Sequence, residues 1–360
     1  MTSRASVAIR AAVVICVAAL GVSSWTVARV VMAWGHVERV AFAPDAARVA
    51  LDAATESASA TTVAGGPTTT AGGTPTTTAP IAYIPDEAMD VFLIIGSDER
   101  SADATSRRAD VIMMFILPTD GSAPVLISIP RDLNLPNPCT GGMDRVNVNL
   151  NGCGATATGP EQVAIAVEDF TGLPIDHFVL FTFEGFRKIV ERIGGIEICP
   201  ETAVRDPGVD PVPLDLPSGC SLADGDQALA WVRSRHTLGF VDGTWVPLAT
   251  TDLDRNQRQQ DLVIEAMRGL KSMHDISELS ALIEELAGQF TIDHGLSLSS
   301  AVSTAWSLRS LDTTQITRPT LPVAFATDEA GRSVLIPQAT FESVVVAANP
   351  RLARYFEHSG

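Results

Sequence analysis

The middle of the chain alternates short apolar runs with polar turns. Continuous apolar runs at Val91 to Ile95, Val111 to Leu117 and Val125 to Ile129 are bounded by Gly, Pro and charged residues, which is typical of buried strands. Apolar residues at helical spacing then predict helices at Gln162 to Phe170, Phe183 to Ile193, Asp224 to Val232 and Asp252 to Leu270, with short strands at His177 to Phe181 and Ile196 to Cys199. Strands interleaved with helices predict an α/β domain, which we place at residues 83–272.

The last part of the chain, residues 273–360, shows weaker patterns. Helical periodicity at Glu278 to Gln289 and at Leu298 to Arg309 is followed by a short strand pattern near Ser333 to Ile336. We expect these elements to pack on the same domain without a catalytic site of their own. A separate small binding module is the alternative.

The N-terminal part predicts a membrane anchor followed by a linker. Arg4 and Arg10 precede an uncharged run, and apolar residues continue to Trp34, so residues 11–34 are expected to span a membrane. The positive-inside tendency leaves residues 1–10 in the cytoplasm and the rest outside, whereas a cleaved signal peptide is the alternative. Residues 35–82 form the extracytoplasmic stalk, in which 53–80 are almost entirely Ala, Thr, Gly, Pro and Ser and predict a disordered tether.

The charge balance excludes several classes of function. The 360 residues carry a formal net charge of −17, and such an acidic surface repels nucleic acid. A membrane-bound transcriptional regulator would also need a basic helix-turn-helix in the short cytoplasmic tail.

Neither GxSxG nor HExxH occurs, so serine-hydrolase and zinc-hydrolase hypotheses lack support. In so acidic a chain, locally clustered arginines are the informative feature.

The cysteines favour disulfides. Cys16 lies in the predicted span, and the other four lie in the part predicted to be exported. An even number in an exported chain suggests two disulfides, with three connectivities open. Pairing Cys139 with Cys153 and Cys199 with Cys220 closes the shortest loops, and four unrelated buried thiols are the alternative. Zinc is not expected, because no closely spaced Cys/His pair occurs.

Charged residues gather where the predicted strands and helices end. Asp98 follows the first strand, Asp110 precedes the second and Arg131 follows the third. Arg233 and Arg235 are two apart, so they face one side only if the helix stops near Arg233. Two solvated arginines at a helix C-terminus are the alternative.

A later helix carries a further polar cluster. Arg255 and Gln259 are four residues apart and share one helix face. Arg258, one turn away, either joins them or faces water.

Seven motifs occur in order: GSD at Gly96 to Asp98, RAD at Arg108 to Asp110, SIPRD at Ser128 to Asp132, RVN at Arg145 to Asn147, IGGIEI at Ile193 to Ile198, ALAWVRSR at Ala228 to Arg235 and DxxRxxRQQ at Asp252 to Gln260. Together they resemble the LytR-CpsA-Psr family, bacterial enzymes that move glycopolymers from a polyprenyl-pyrophosphate carrier to the cell wall. The interval between the last two motifs is longer than in simple members, and the proline-rich segment Pro200 to Gly219 is unusual.

The resemblance implies roles for the clustered residues. Asp98 and Asp110 match aspartates that bind Mg²⁺, whose preference for hard carboxylate oxygens fits. The groups implied to bind pyrophosphate are Arg131, Arg233, Arg235, Arg255 and Gln259, with Arg108 as a further candidate. Planar guanidinium groups suit a diphosphate that gains charge during transfer. Asp132 is expected to orient Arg131.

The activity implied is a phosphotransfer in which Arg131, Asp98 and Asp110 are the catalytic set. A hydroxyl of cell-wall peptidoglycan attacks the glycan-linked phosphorus, polyprenyl phosphate leaves and a phosphodiester forms, with a pyrophosphatase side activity. The implied partners are the lipid-linked glycan, peptidoglycan and the membrane. A lipid-pyrophosphate-binding protein without turnover is the alternative, and the sequence does not identify the glycan.

The fold implied is a mixed central sheet flanked by helices, with an apolar tunnel for the lipid. The resemblance places in that tunnel apolar side chains such as Phe92, Phe178, Phe181, Phe183, Val232 and Ile264. Each of these residues, taken singly, also fits an ordinary core position.

Overall fold

A mixed β-sheet lies at the centre of the fold. The computed structural model describes residues 31–32, 34–62, 89–97, 107–248, 252–271, 284–285, 287–297, 300–301 and 311–356. The strands are β1 (Glu38–Val40), β2 (Met89–Ser97), β3 (Ala109–Pro118), β4 (Val125–Ser128), β5 (Asn134–Pro136), β6 (Met143–Arg145), β7 (His177–Thr182), β8 (Ile196–Ile198), β9 (Val204–Asp206), β10 (Leu214–Leu216), β11 (Ser221–Ala223), β12 (Leu238–Val241), β13 (Thr244–Pro247), β14 (Phe290–Asp293), β15 (Val323–Thr327) and β16 (Ser333–Pro337). The α-helices are α1 (Pro44–Thr62), α2 (Gly159–Thr171), α3 (Phe183–Arg192), α4 (Gly225–Arg233), α5 (Asp252–Lys271) and α6 (Phe341–Ala348).

The central sheet has six strands in the order β1-β14-β7-β2-β3-β4. β1 is parallel to β14 and β7 is parallel to β2, whereas the other neighbouring strands are antiparallel. The predicted mixed sheet is therefore confirmed.

Both faces of this sheet are buried, because its central strands are apolar on both sides. Along β2, Val91, Leu93 and Ile95 join one hydrophobic cluster, while Phe92 and Ile94 join the other. Helices α2 and α6 cover the first face, and α3, α4 and α5 cover the second. Burial of one such side chain stabilises the fold by about 1.5–3 kcal/mol, so the alternation along β2 holds three layers together.

The segment after the predicted anchor packs on the domain. β1 extends the sheet at β14, and α1 lies against α2 through Ala47 and Ile165. Arg48 of α1 forms ion pairs with Glu168, at 3.1 Å, and with Asp169. Residues 53–62 of the predicted tether are helical, so that part of the prediction was wrong: they continue a helix that begins at Pro44 and packs on the domain through Ala47 and Leu51. Residues 63–82 lie outside the described residues.

The predicted membrane span lies almost entirely outside the described residues. Among the helices that are described, none is long and apolar enough to cross a bilayer, and the anchor at 11–34 stays a prediction. In the C-terminal part, the strand predicted near Ser333 to Ile336 is confirmed as β16. The helices predicted at Glu278 to Gln289 and Leu298 to Arg309 lie mostly outside the described residues.

A smaller four-stranded sheet, ordered β10-β9-β12-β13, comes from the proline-rich segment and the long interval before α5. We did not predict its strands. β12 and β13 form a hairpin whose two loop residues, Asp242 and Gly243, have φ angles of 50° and 80°. Asp-Gly is typical of such loops, because both positions need positive φ. The signal was therefore present in the sequence.

The four cysteines of the domain meet in the pairs that close the shortest loops. The Cα atoms of Cys139 and Cys153 are 5.5 Å apart, and those of Cys199 and Cys220 are 3.9 Å apart. In both pairs the sulfur atoms are at disulfide distance. The second pair links the ends of β8 and β11, which are also hydrogen-bonded neighbours.

Candidate functional site

Asp110 and Arg131 form an ion pair at one edge of the central sheet. Asp110 lies at the start of β3, and Arg131 follows the end of β4. These strands are antiparallel neighbours, so the start of one lies beside the end of the next. Both side chains are about one fifth exposed, at 21% and 19%, which leaves the pair accessible to a ligand.

Neighbouring charges fix the orientation of Arg131. Its Nε donates to Asp132 at 3.3 Å, and Nη1 of Arg145 lies 3.5 Å from the same carboxylate. The backbone amide of Asn147 donates to the carbonyl of Arg131 at 3.1 Å. Asp110, Arg131, Asp132 and Arg145 thus form a row of alternating charges. The contact of Asp132 with Arg131 is the one expected of a residue that orients this arginine.

Helix α5 is fastened to the strand that leads to Arg131. Nε2 of Gln260 donates to Oγ of Ser128 at 3.1 Å, and that hydroxyl donates to the carbonyl of Asn256 at 3.5 Å. The SIPRD and RxxRQQ motifs therefore meet. Arg255 and Gln259 are both buried, and the Gln259 carboxamide makes no hydrogen bond within the described part of the chain.

Helix α4 ends at the position expected if Arg233 and Arg235 are to face the same side. It ends at Arg233, and Ser234 has φ −59° and ψ 127°, which is not helical. Nη1 of Arg233 donates to the carbonyl of Asp210 at 2.7 Å, and its guanidinium lies 5.2 Å from the ring centre of Phe183. Arg235 is exposed. Residues two apart point to opposite sides of a helix. Because the backbone is extended at Ser234, Arg233 and Arg235 can point to the same side.

Arginines from α5 cap the end of α4. Nε of Arg255 donates to the carbonyl of Val232 at 3.5 Å, and Nη1 of Arg258 donates to that of Trp231 at 3.4 Å. Cations suit a helix C-terminus because its carbonyls carry partial negative charge. Arg258 also stacks on the Trp231 ring at 3.8 Å, and burial lowers its pKa. Arg258 is therefore part of the packing between α4 and α5 and does not simply face water.

Asp206 on β9 holds the backbone between the two arginines, and sequence reasoning missed it. The carboxylate is 2% exposed and accepts from Ser234 Oγ at 2.7 Å, the His236 amide at 3.0 Å and the Gly208 amide at 3.0 Å. Burial alone would raise its pKa, but these donors outweigh burial and the pKa lies below its usual value. An acidic residue in an unpredicted strand of a proline-rich segment gave no sequence signal.

Two candidates from the sequence are not brought into these contacts. Arg108 is exposed and forms no ion pair with any described residue, and the nearby Asp110 pairs with Arg131 instead. Asp98 lies outside the described residues. It follows Ser97 directly, and Ser97 pairs with Ala109, the residue before Asp110.

Among the described residues, Asp110 is the candidate metal ligand at this edge, and the Mg²⁺ site at Asp98 and Asp110 stays a prediction. Oδ1 of Asp110 accepts a hydrogen bond from Arg131, and the carboxylate has a second oxygen, Oδ2, that could serve as a ligand. Carboxylate oxygens suit Mg²⁺. Elsewhere in the described ranges, the one group of three candidate ligands is Glu197, Cys199 and Cys220, and its cysteines lie at disulfide distance.

The apolar residues assigned to a tunnel divide between the two faces of the sheet. Phe92, Phe183, Val232 and Ile264 lie in the cluster beneath α3, α4 and α5, on the arginine side. Phe178 lies in the cluster on the opposite face. Phe178 is fully buried, and the sheet itself separates it from those four side chains, which fits the alternative of an ordinary core position. The tunnel itself stays a prediction.

Comparisons with known proteins agree with the motifs. The model of the LytR_cpsA_psr family matches residues 61–346. The chain is 29% identical over 284 residues to the probable cell wall biosynthesis protein LcpB of Corynebacterium glutamicum, covering 74% of this chain and 62% of that protein. It is 26% identical over 208 residues to the polyisoprenyl-teichoic acid–peptidoglycan teichoic acid transferase TagU of Oceanobacillus iheyensis, covering 56% of this chain and 58% of that protein. The chain thus spans less than two thirds of either relative.

A solved structure shares the fold. The LytR-Csp2A-Psr enzyme from Actinomyces oris is similar with a TM-score of 0.55 and 26% identity, covering 75% of this chain and 90% of that chain.

Proposed function

The chain belongs to the LytR-CpsA-Psr family, and from that premise we propose that it transfers a glycopolymer from a polyprenyl-pyrophosphate carrier to a hydroxyl of peptidoglycan. The observation that carries the proposal is the Asp110–Arg131 ion pair beside the arginine-bearing helix α5. In a chain of net charge −17, this concentration of guanidinium groups is suited to a diphosphate. TagU, one of the relatives, is named for transfer from a polyisoprenyl carrier to peptidoglycan.

The reaction we propose is a displacement at phosphorus. The oxygen of the peptidoglycan hydroxyl forms a bond to the glycan-linked phosphorus, and the bond from that phosphorus to the bridging oxygen breaks. Polyprenyl phosphate leaves with the bridging oxygen, and the proton of the hydroxyl passes to the leaving phosphate or to solvent. Little covalent chemistry falls to the protein, so positioning and charge stabilisation provide most of the acceleration.

The residues divide this work by position. Arg131, held by Asp110 and Asp132, presents donors to the phosphate oxygens without reorienting during the reaction. Arg233, Arg235, Arg255 and Gln259 would bind the remaining oxygens of the pyrophosphate. Asp98 and Asp110 would hold a Mg²⁺ ion, which neutralises phosphate charge when bound.

We further propose that the chain is a single-pass membrane protein with its domain outside the cytoplasm. The predicted span at 11–34 and the cysteines at disulfide distance support this location, because disulfides persist in oxidising compartments. A polyprenyl carrier is itself a membrane lipid, so an anchored enzyme would stay beside its substrate.

The test is Arg131→Ala in the purified full chain, assayed for transfer from a lipid-diphosphate-linked N-acetylglucosamine oligosaccharide to peptidoglycan. Loss of one such donor should lower the rate by about 100-fold or more. Arg351→Ala is the matched control, because Arg351 is an exposed arginine in the segment that contacts Ala123, at the opposite end of β4 from Arg131. Near-normal transfer by Arg131→Ala would contradict the proposal. Tight binding of the lipid diphosphate by the unmutated chain without any transfer would favour the non-catalytic binder.

A further inference from the structure

The β12–β13 hairpin displays aromatic side chains that the hydrophobic clusters do not use. Phe240 is 44% exposed, Val241 is 41% exposed and Trp245 is half-buried. The rings of Phe240 and Trp245 lie 5.3 Å apart, and within the described residues neither ring belongs to a hydrophobic cluster. Contiguous exposed apolar side chains commonly mark a binding surface.

A cation accompanies these rings. The guanidinium of Arg205, on β9, lies 4.1 Å from the ring centre of Trp245. Arg205 is exposed, and stacking fixes the plane of its guanidinium while leaving N–H donors at the edge. The hairpin surface therefore combines apolar ring faces with a fixed set of hydrogen-bond donors.

This combination matches the chemistry of a sugar ring. A pyranose has an apolar C–H face and a hydroxyl rim, and the negative face of an aromatic ring attracts the positive C–H edges. The guanidinium can donate to ring hydroxyls at the same time.

The position of the hairpin favours the glycan of the donor. β12 pairs with β9, and β9 carries Asp206, which holds Ser234 between Arg233 and Arg235. Phe240 follows Arg235 by five residues in the sequence, at most about 17 Å of extended chain. A few sugar units span that distance, so a glycan attached to a pyrophosphate at these arginines can reach the rings.

We propose that Phe240, Trp245 and Arg205 form a saccharide platform that binds the glycan of the lipid-linked donor. This inference rests on the proposed function, because the platform gains its role from a pyrophosphate bound at Arg233 and Arg235. The platform would add affinity for donors whose glycan is long enough to reach it, and so would bias the enzyme towards polymerised donors.

The experiment measures the affinity of the full chain in detergent for four probes. Three are geranylgeranyl diphosphate without sugar and the same lipid diphosphate carrying either one N-acetylglucosamine or a chitin-type tetrasaccharide, and the fourth is a soluble peptidoglycan fragment. Trp245→Leu removes the ring but keeps an apolar side chain in the hairpin, and Phe240→Ser replaces an exposed ring. Phe325→Ser is the matched control, because Phe325 is 70% exposed on the separate β15–β16 hairpin.

Both platform variants should bind the tetrasaccharide probe about three- to tenfold more weakly, with sugar-free diphosphate binding and thermal unfolding unchanged. The Phe325 control should behave like the unmutated chain. Equal affinity for the tetrasaccharide probe in all proteins would overturn the platform. Weaker binding of soluble peptidoglycan fragments alone would also overturn it, by assigning the rings to the acceptor. Failure of the unmutated chain to bind even the sugar-free diphosphate would instead overturn the proposed function itself.

Discussion

Replacement of Asp206 by Asn tests whether a buried carboxylate positions the two arginines of the VRSR motif. The substitution keeps the shape of the side chain but exchanges one acceptor oxygen for an N–H₂ donor. Oδ2 accepts from Ser234 and His236, and Oδ1 accepts from Gly208, so either orientation of the amide faces a backbone N–H. At least one backbone amide, that of Gly208 or of His236, then loses its acceptor, and the remaining hydrogen bonds lose their charge.

The magnitude follows from the three donors. Hydrogen bonds to a charged group contribute about 1.5–3 kcal/mol each, and the substitution removes one of the three and weakens the other two. Relief of the desolvation cost of the carboxylate offsets part of this loss, so we expect the free energy of unfolding to fall by about 2–4 kcal/mol. Ser234 lies between Arg233 and Arg235, so a displaced Ser234 should misplace these arginines. Loss of one hydrogen bond to the ligand, about 1.4 kcal/mol, should lower the affinity for geranylgeranyl diphosphate by about tenfold or more.

The assay is urea unfolding followed by circular dichroism, with diphosphate binding measured on the same samples. Asp215→Asn is the matched control, because Asp215 is an exposed aspartate on the adjacent strand β10. The pKa of Asp206 is lowered in the folded state, so its contribution is present above the unfolded pKa and is lost as pH falls through the folded pKa. An Asp206→Asn variant as stable and as tightly binding as Asp215→Asn would refute the reasoning.

Three further outcomes are expected. Asp98→Asn and Asp110→Asn should each remove most Mg²⁺-dependent transfer, and the double variant should lose little more; additive losses insensitive to a chelator would contradict a shared metal. Burial raises the pKa of Glu168 to about 7, because its effect outweighs those of the hydrogen bond from Ile175 and the ion pair with Arg48. The stabilising contribution of Glu168 is therefore complete below the unfolded pKa and is lost as pH rises through about 7. Glu168→Gln should flatten that decline in urea unfolding between pH 5 and 8, and an unchanged slope would argue against it. Non-reducing mass mapping should find both predicted disulfides, each worth roughly 3 kcal/mol, whereas four free thiols would exclude them.

Local patterns in the sequence were sufficient for the elements of the central layer. The apolar runs of β2, β3 and β4 and the periodicity of α2 to α5 each express a local rule of alternation or helical spacing, and each lies within a few residues of its predicted bounds. The pairing of the cysteines could also be predicted locally, because both pairs close short loops. The ordered motifs identified the family, and the roles of their aspartates and arginines came from that resemblance.

Contacts between distant segments were decided by the tertiary structure alone. Part of helix α1 comes from a composition that favours disorder in isolation, and the helix is stabilised because α2 supplies an apolar partner and Asp169 pairs with Arg48. Arg258 and Arg255 look equivalent along the sequence, yet Arg258 lies on Trp231 of another helix. Asp206 is polar and lies in a proline-rich segment, and its importance appears only when β9 brings it beneath Ser234, 28 residues away. Such roles depend on which donors and apolar faces meet in three dimensions, and local spacing carries no information about them.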